Sequence, residues 1–174
     1  MFTAFFRSHE GSAPDENVQP YDVPSLPHFA RCSALFASLA PYRARLMREA
    51  SEHGWPLVRP TWLHYPDDEA TLDLDEQFMQ GSDLLVAPVL HPHRKRVRAY
   101  LPAGTWLHAF TRRTTHRQTG GWVELWAPLG SPAAMVRLDE GKAPAELEPF
   151  LQAARRAELA GGEPEAASHV TRES

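Results

Sequence analysis

The chain has 174 residues, with 18 Lys and Arg against 22 Asp and Glu, a formal net charge of −4 and a sequence pI near 6.1. That balance gives no reason to expect nucleic acid or an anionic membrane as partner. Hydrophobic residues make up 43% and charged residues 23%, so the chain reads as globular, with length for one ordinary domain or parts of two. Its single cysteine, Cys32, excludes an internal disulfide and a Cys-rich zinc site. No apolar run reaches the roughly 18 residues that a membrane span requires. No signal peptide is visible, and the expected location is the cytoplasm.

In chain order, residues 2–6 form a short, aromatic-rich apolar run that predicts a strand. The run ends in Arg7, His9 and Glu10, with Gly11 and Pro14 close behind. An apolar strand whose last residues turn polar is how a barrel strand delivers side chains to a pocket. A buried strand also needs neighbours on both sides, so the expectation is a chain cut from a larger protein. Residues 10–27 read as a long loop holding Pro14, Pro20, Pro24 and Pro27.

From about His28 to His53 the pattern is helical. Phe29, Cys32, Phe36, Leu39, Leu46 and Ala50 recur at helical steps along one side, with Ser25 as a cap and Gly54 as the stop. Pro41 predicts a kink or two abutting helices near Ala40. Residues 57–63 predict a second buried strand. Strand, helical crossover and strand together suggest a βαβ unit with parallel strands. Its polar ends, His9 and the run from His64 to Asp68, then share one rim.

Residues 67–75 form an acidic connector and 75–80 a short helical turn before Gly81. Residues 84–90 are strongly strand-like. Residues 96–101, 105–110, 121–126 and 133–138 are short extended segments between turn signals, the pattern of an antiparallel β-sandwich. Alternation through Trp122-Val-Glu-Leu-Trp126 predicts a sheet with one wet face. Residues 144–159 predict an amphipathic helix with Leu147, Phe150, Leu151 and Ala154 on one side, and 161–174 a disordered tail.

Several residues carry candidate chemistry. His9 is the strongest, since a neutral imidazole offers one donor and one acceptor to a ligand; a loop histidine with a structural hydrogen bond fits as well. Arg7, two residues earlier, would share its face of a strand. Adjacent Asp67, Asp68 and Glu69 cannot flank a substrate and read as an acidic loop with turn and capping contacts. His91 and His93 lack a third metal ligand nearby, and the basic run that follows them reads as a solvated hairpin edge. Of the five tryptophans, Trp106, Trp122 and Trp126 suit sandwich-core or inter-domain packing.

Four blocks carry a family resemblance: Phe-Phe-Arg-Ser-His-Glu-Gly at 5–11, then residues 57–68, 75–89 and 100–106. In this order and spacing, over residues 2–137, the chain resembles glycoside hydrolase family 31. The resemblance implies the last strands of a (β/α)8 TIM barrel followed by an antiparallel β-sandwich domain. Residues 1–80 would be the barrel part, 81–140 the sandwich, and 141–174 the helix and tail. It implies a retaining α-glycosidase acting on a carbohydrate substrate, an α-glycoside, without cofactor or metal. His9 would bind the sugar, with Arg7 beside it, either bracing pocket carboxylates or pairing within the barrel. The family's catalytic aspartates have no counterpart here and would lie in a missing N-terminal part of the same enzyme. Glu10 would organise the loop.

His-Glu-Gly followed by Gln19-Pro-Tyr-Asp22 resembles the sulfoquinovosidase branch, whereas Ser12-Ala13 departs from its Asn-Arg. Sulfoquinovosidase and α-glucosidase specificity therefore both stand. Two further readings remain open: a non-catalytic carbohydrate-binding β-sandwich module, and a structural subunit of a split enzyme.

Overall fold

Strand β3 (Leu84–Ala87) is apolar and buried at all four positions. A strand with one wet face alternates, whereas an unbroken apolar run needs cover on both faces. The computed structural model, which describes residues 1–7 and 26–161, supplies that cover from two layers. Successive strand side chains point to opposite faces. Leu84 and Val86 accordingly join a core shared with helices, and Leu85 and Ala87 a core shared with a second sheet.

The central sheet has six strands. Along with β3 they are β1 (Val58–Arg59), β2 (Phe78–Gln80), β5 (Gly104–His108), β6 (Thr114–Arg117) and β8 (Ala133–Leu138). Their order is β1-β2-β3-β8-β5-β6, and every neighbouring pair is antiparallel. Strands β4 (Arg96–Leu101) and β7 (Gly121–Trp126) form a separate antiparallel ribbon. Between sheet and ribbon lies a core of Met79, Leu85, Leu101, Trp106, Leu125 and Met135. Trp106 is fully buried there, and its indole N–H donates to the Pro102 carbonyl at 2.9 Å. The expected antiparallel sandwich is thus present.

The other face of the sheet is covered by α1 (Leu26–Ser38), α2 (Ala40–His53) and α3 (Glu148–Gly161). The break at Leu39 follows from Pro41, which sits in the first turn of α2, where its missing N–H costs nothing. Gly54 caps α2 in the left-handed region, its N–H bonding to Ala50 O at 3.0 Å. The predicted inner side of α3 is correct: Leu147, Phe150, Leu151 and Ala154 are all buried. In α1 and α2 the inner stripe is rotated. Leu35, Leu39, Tyr42 and Leu46 are buried, while Phe29, Cys32, Phe36 and Ala50 are half-buried.

Four expectations are corrected. Residues 2–6 form no strand; the segment bends at Thr3 and packs its rings on helices, and among the described residues no strand pairs with it. Residues 57–63 shorten to the two-residue β1, because Pro60 cannot donate to a ladder and the chain turns into a 3₁₀ helix at Thr61–Leu63. Its partner is β2, antiparallel, so the parallel βαβ unit is not formed among the described residues. Residues 78–80, expected in a helical turn, are strand β2. The division expected at residue 80 falls inside this sheet, between two strands hydrogen-bonded to each other. The expected loop over 10–27 and tail over 161–174 fall almost wholly outside the described residues.

Gly81 joins β2 to β3 at φ +62, and a Cβ there would lie 2.5 Å from the Tyr42 hydroxyl and collide with the Leu46 side chain. Gly54 has φ +74 with nothing within 4 Å of such an atom. Gly81→Ala is therefore expected to cost about 3 kcal/mol, combining left-handed strain with overpacking. Gly54→Ala is expected to cost about 1 kcal/mol from strain alone. Urea unfolding midpoints of the two variants check the ranking.

Candidate functional site

Of the two expected sugar contacts, His9 lies outside the described residues, as does Glu10. Arg7 is described and exposed, its guanidinium carbon 6.0 Å from the ring centroid of Phe5, which is itself 69% exposed. Its neighbours are anchored. Phe2 is buried edge-on to Phe150 at 5.8 Å, and Phe6 stacks on Phe29 at 5.4 Å and packs against Phe36. The aromatic run is thus a clasp onto α1 and α3, and it carries Arg7 to the surface.

The polar run after β1 is built around Arg59, 2% exposed. Arg59 Nε donates to Pro56 O at 2.6 Å, one terminal nitrogen to Glu49 of α2 at 2.7 Å, and the other to His64 Nε2 at 3.1 Å. An arginine has donors only, so His64 Nε2 is the acceptor and the ring proton sits on Nδ1. The Trp55 indole stacks on His64 at 5.5 Å with 13° between the planes, and Arg59 lies 5.1 Å from the Trp55 ring centroid. Burial first, and then the Arg59 charge, hold the His64 imidazole below the ordinary histidine value. These contacts join α2, β1 and the 3₁₀ turn.

Asp68 has a structural partner: the Tyr100 hydroxyl donates to its carboxylate at 2.9 Å. Thr71 Oγ1 donates to its carbonyl at 2.7 Å, closing the turn. Asp67 and Glu69 are exposed. The capping expectation is met in part, because Asp68 precedes the 3₁₀ helix Glu69–Thr71 without a side-chain cap bond. His91 and His93 lie exposed in the turn before β4, and among the described residues no group of three or more metal-capable side chains occurs. Asp83, which lines a charged cleft of about 570 Å³ with Arg137, Asp139 and Lys142, is engaged by Arg45, Ser82 and the Tyr42 hydroxyl. The Tyr42 hydroxyl donates to Gln80 O at 2.8 Å and accepts from Asp83 N at 3.1 Å. Burial first, and the nearby carboxylate, push its pKa up.

Sequence reasoning missed one ordered surface. Cross-strand register places Arg96, Arg98 and Tyr100 of β4 opposite Trp126, Glu124 and Trp122 of β7. The wet-face alternation of β7 was legible, whereas the pairing that sets Trp126 opposite Arg96 and Trp122 opposite Tyr100 was not.

Layers and site together define a β-sandwich domain with a helical cover, in which buried Arg59 and Tyr42 are occupied in joining the layers. Residues 54–142 match the glycosyl hydrolase family 31 C-terminal domain, and the chain belongs to glycoside hydrolase family 31. It is 39% identical over 139 residues to the sulfoquinovosidase of Escherichia coli (strain K12), covering 79% of this chain and 20% of that protein. An alpha-glucosidase of Hordeum vulgare is 45% identical over 92 residues, covering 52% of this chain and 10% of that protein. Among solved structures, a family 31 sulfoquinovosidase from E. rectale in complex with an aza-sugar inhibitor superposes with a TM-score of 0.79 at 33% identity. That match covers 89% of this chain and 22% of the other. The chain therefore spans about a fifth or less of the length of these relatives.

The His64 joint carries a pH signature. Its folded-state value lies below the unfolded value of 6.5, so the unfolded chain binds more protons as pH falls through that value, and the folded state loses stability. Urea unfolding between about pH 7.5 and pH 5 is expected to show stability falling with pH, with a shallower slope in His64→Gln. Equal slopes in the two proteins would show that His64 titrates alike in both states.

Proposed function

We propose that this chain is the C-terminal part of a retaining α-glycosidase that hydrolyses sulfoquinovosides or α-glucosides. The observation that carries this reading is the likeness to a family 31 sulfoquinovosidase over 89% of this chain. The first two helices and the segment before them belong, in this reading, to the end of a (β/α)8 barrel supplied mainly by an N-terminal part of the same enzyme. The hydrogen bonding of β1 and β2 into the six-stranded sheet favours a boundary near Gly54, where the family match begins, over one at residue 80.

A retaining mechanism needs two carboxyl groups about 5–5.5 Å apart across the scissile bond. One attacks the anomeric carbon and gives a glycosyl-enzyme; the other protonates the leaving oxygen and then activates water. Asp68 and Asp83 are poor candidates: the first is held by Tyr100 and the second by Arg45. The catalytic pair is assigned to the N-terminal part, and His9 to the hydroxyls of the sugar ring, where hydrogen bonds that strengthen toward the oxocarbenium-like state favour reaction. Arg7, two residues before it, either braces carboxylates of the same pocket or pairs within the barrel.

The 174-residue chain by itself is expected not to hydrolyse a nitrophenyl α-glucoside or α-sulfoquinovoside. Turnover by the purified chain would place a catalytic pair within it. In the intact enzyme, His9→Ala is expected to lower kcat/KM by about 10-fold or more, roughly 1.4 kcal/mol of transition-state stabilisation. Unchanged kinetics would return His9 to a structural role, and the ratio of the two nitrophenyl substrates' kcat/KM values decides the specificity.

A further inference from the structure

The outer face of the β4–β7 ribbon is an ordered aromatic and charged array. The inward residues Ala99, Leu101 and Leu125 fill the inter-sheet core, so the alternate set faces outward. Trp122 is 47% exposed, and the directly paired Arg98 and Glu124 are exposed beside it. Both indoles are held in place. The Arg98 guanidinium lies 4.3 Å from the Trp122 ring centroid, with the Tyr100 ring edge-on at 5.6 Å, and the Arg96 guanidinium lies 5.4 Å from Trp126.

Four residues separate the tryptophans on one face of one strand, a distance of ~13 Å. Each lines a small cleft. Trp122 and Arg98 share one of about 130 Å³ with Asp73, Asp75 and Glu76. Trp126, Arg96 and Glu124 share another of about 170 Å³ with Arg113 and Thr115. The floor of the first cleft is fixed: the Gln77 amide donates to Tyr100 O at 2.9 Å and accepts from Tyr100 N at 2.7 Å. In the second, the Trp126 indole N–H is shielded from water and has no acceptor among the described residues. A buried donor left so costs about 1–3 kcal/mol, and native proteins rarely leave one unmet.

We propose that this face binds a neutral oligosaccharide lying along β7 across Trp122 and Trp126. Charge selects the class of ligand. The first cleft sets Asp73, Asp75 and Glu76 against Arg98, and the second sets Arg96 and Arg113 against Glu124, so a ligand of one charge sign lying across both is favoured in one and disfavoured in the other. A neutral polyol meets acceptors for its hydroxyl protons and donors for its oxygens in both clefts. The C–H face of a pyranose, apolar with outward hydrogens, complements the electron-rich face of an indole. The distance between the indoles calls for a short chain of sugars, one ring on each. The proposal concerns a binding surface and uses no catalytic group, so it stands or falls apart from the hydrolytic reading.

The test titrates the full chain with maltotriose, followed by calorimetry and by tryptophan fluorescence. Saturable binding is expected, weakened about 10-fold or more by Trp122→Ala, whose side chain is half exposed and whose loss leaves the core intact. Trp126→Phe, which keeps one aromatic ring but removes the pyrrole ring with its N–H, is expected to weaken binding less, and Trp55→Ala to leave it unchanged. Absence of saturable binding, binding undiminished in Trp122→Ala, or self-association of the chain relieved by Trp122→Ala would each overturn the assignment.

Discussion

Burial of the central sheet on both faces is the constraint on which the domain rests. Strands β3 and β8 present Leu84, Val86, Ala134 and Val136 to the helices, and Leu85, Ala87, Ala133 and Met135 to the ribbon. Neither cover is optional. Removing the helices would expose half of each strand, and removing the ribbon would expose the other half together with Trp106. Because side-chain direction has period two, a one-residue slip of β8 against β3 would exchange the two sets of residues between cores of different shape. The paired register Leu84↔Val136 to Ala87↔Ala133 is thereby specified from both sides.

Polar groups fix how the helices sit on that sheet. Arg59 ties β1 to Glu49 of α2, Tyr42 of α2 bonds to Gln80 O and Asp83 N, and Arg45 reaches Asp83. Arg31 of α1 reaches Ala157 O of α3 at 2.6 Å and Ser131 at 3.3 Å, while Ser131 donates to Glu158. Apolar burial supplies the attraction but is non-directional. Charge-assisted bonds with defined geometry choose among the many ways a greasy helix can lie on a greasy sheet. Partly buried pairs of this kind contribute little net stability, and their value lies in selecting one arrangement.

What the sequence made legible follows the same physics. Strands β4, β7 and β8 have the predicted bounds, and the inner side of α3 is as predicted, because turn residues bracket the strands and Leu147, Phe150, Leu151 and Ala154 repeat at helical steps. The failures lie where partners decide. Residues 2–6 look like a strand by composition, yet Phe2 and Phe6 find helices and no ladder. Residues 78–80 look like a helical turn, yet β1 and β3 lie on either side of them. β6, Thr-Thr-His-Arg, carries no apolar alternation because it edges the sheet. Tyr42 was missed as a core residue because its ring is buried while its hydroxyl bonds to the β2–β3 turn. Of the site, the family blocks were legible, and the alignment of Trp126 with Arg96 and of Trp122 with Tyr100 needed the β4–β7 register.

The clasp of Phe2 and Phe6 links domain stability to chemistry. By seating on Phe150, Phe29 and Phe36, these rings set where Arg7 leaves the surface, and hence where the chain toward His9 begins. Positioning of a sugar ring tolerates errors well under an ångström before rate falls. Under the proposed function, Arg7 inherits its placement from the core that anchors Phe6 beside it. Substitutions in that core, remote from any substrate, then act on kcat through placement. The ribbon face, on the opposite side of the central sheet from those helices, is free of that demand, so its tryptophans are available to hold sugar without disturbing the geometry of cleavage.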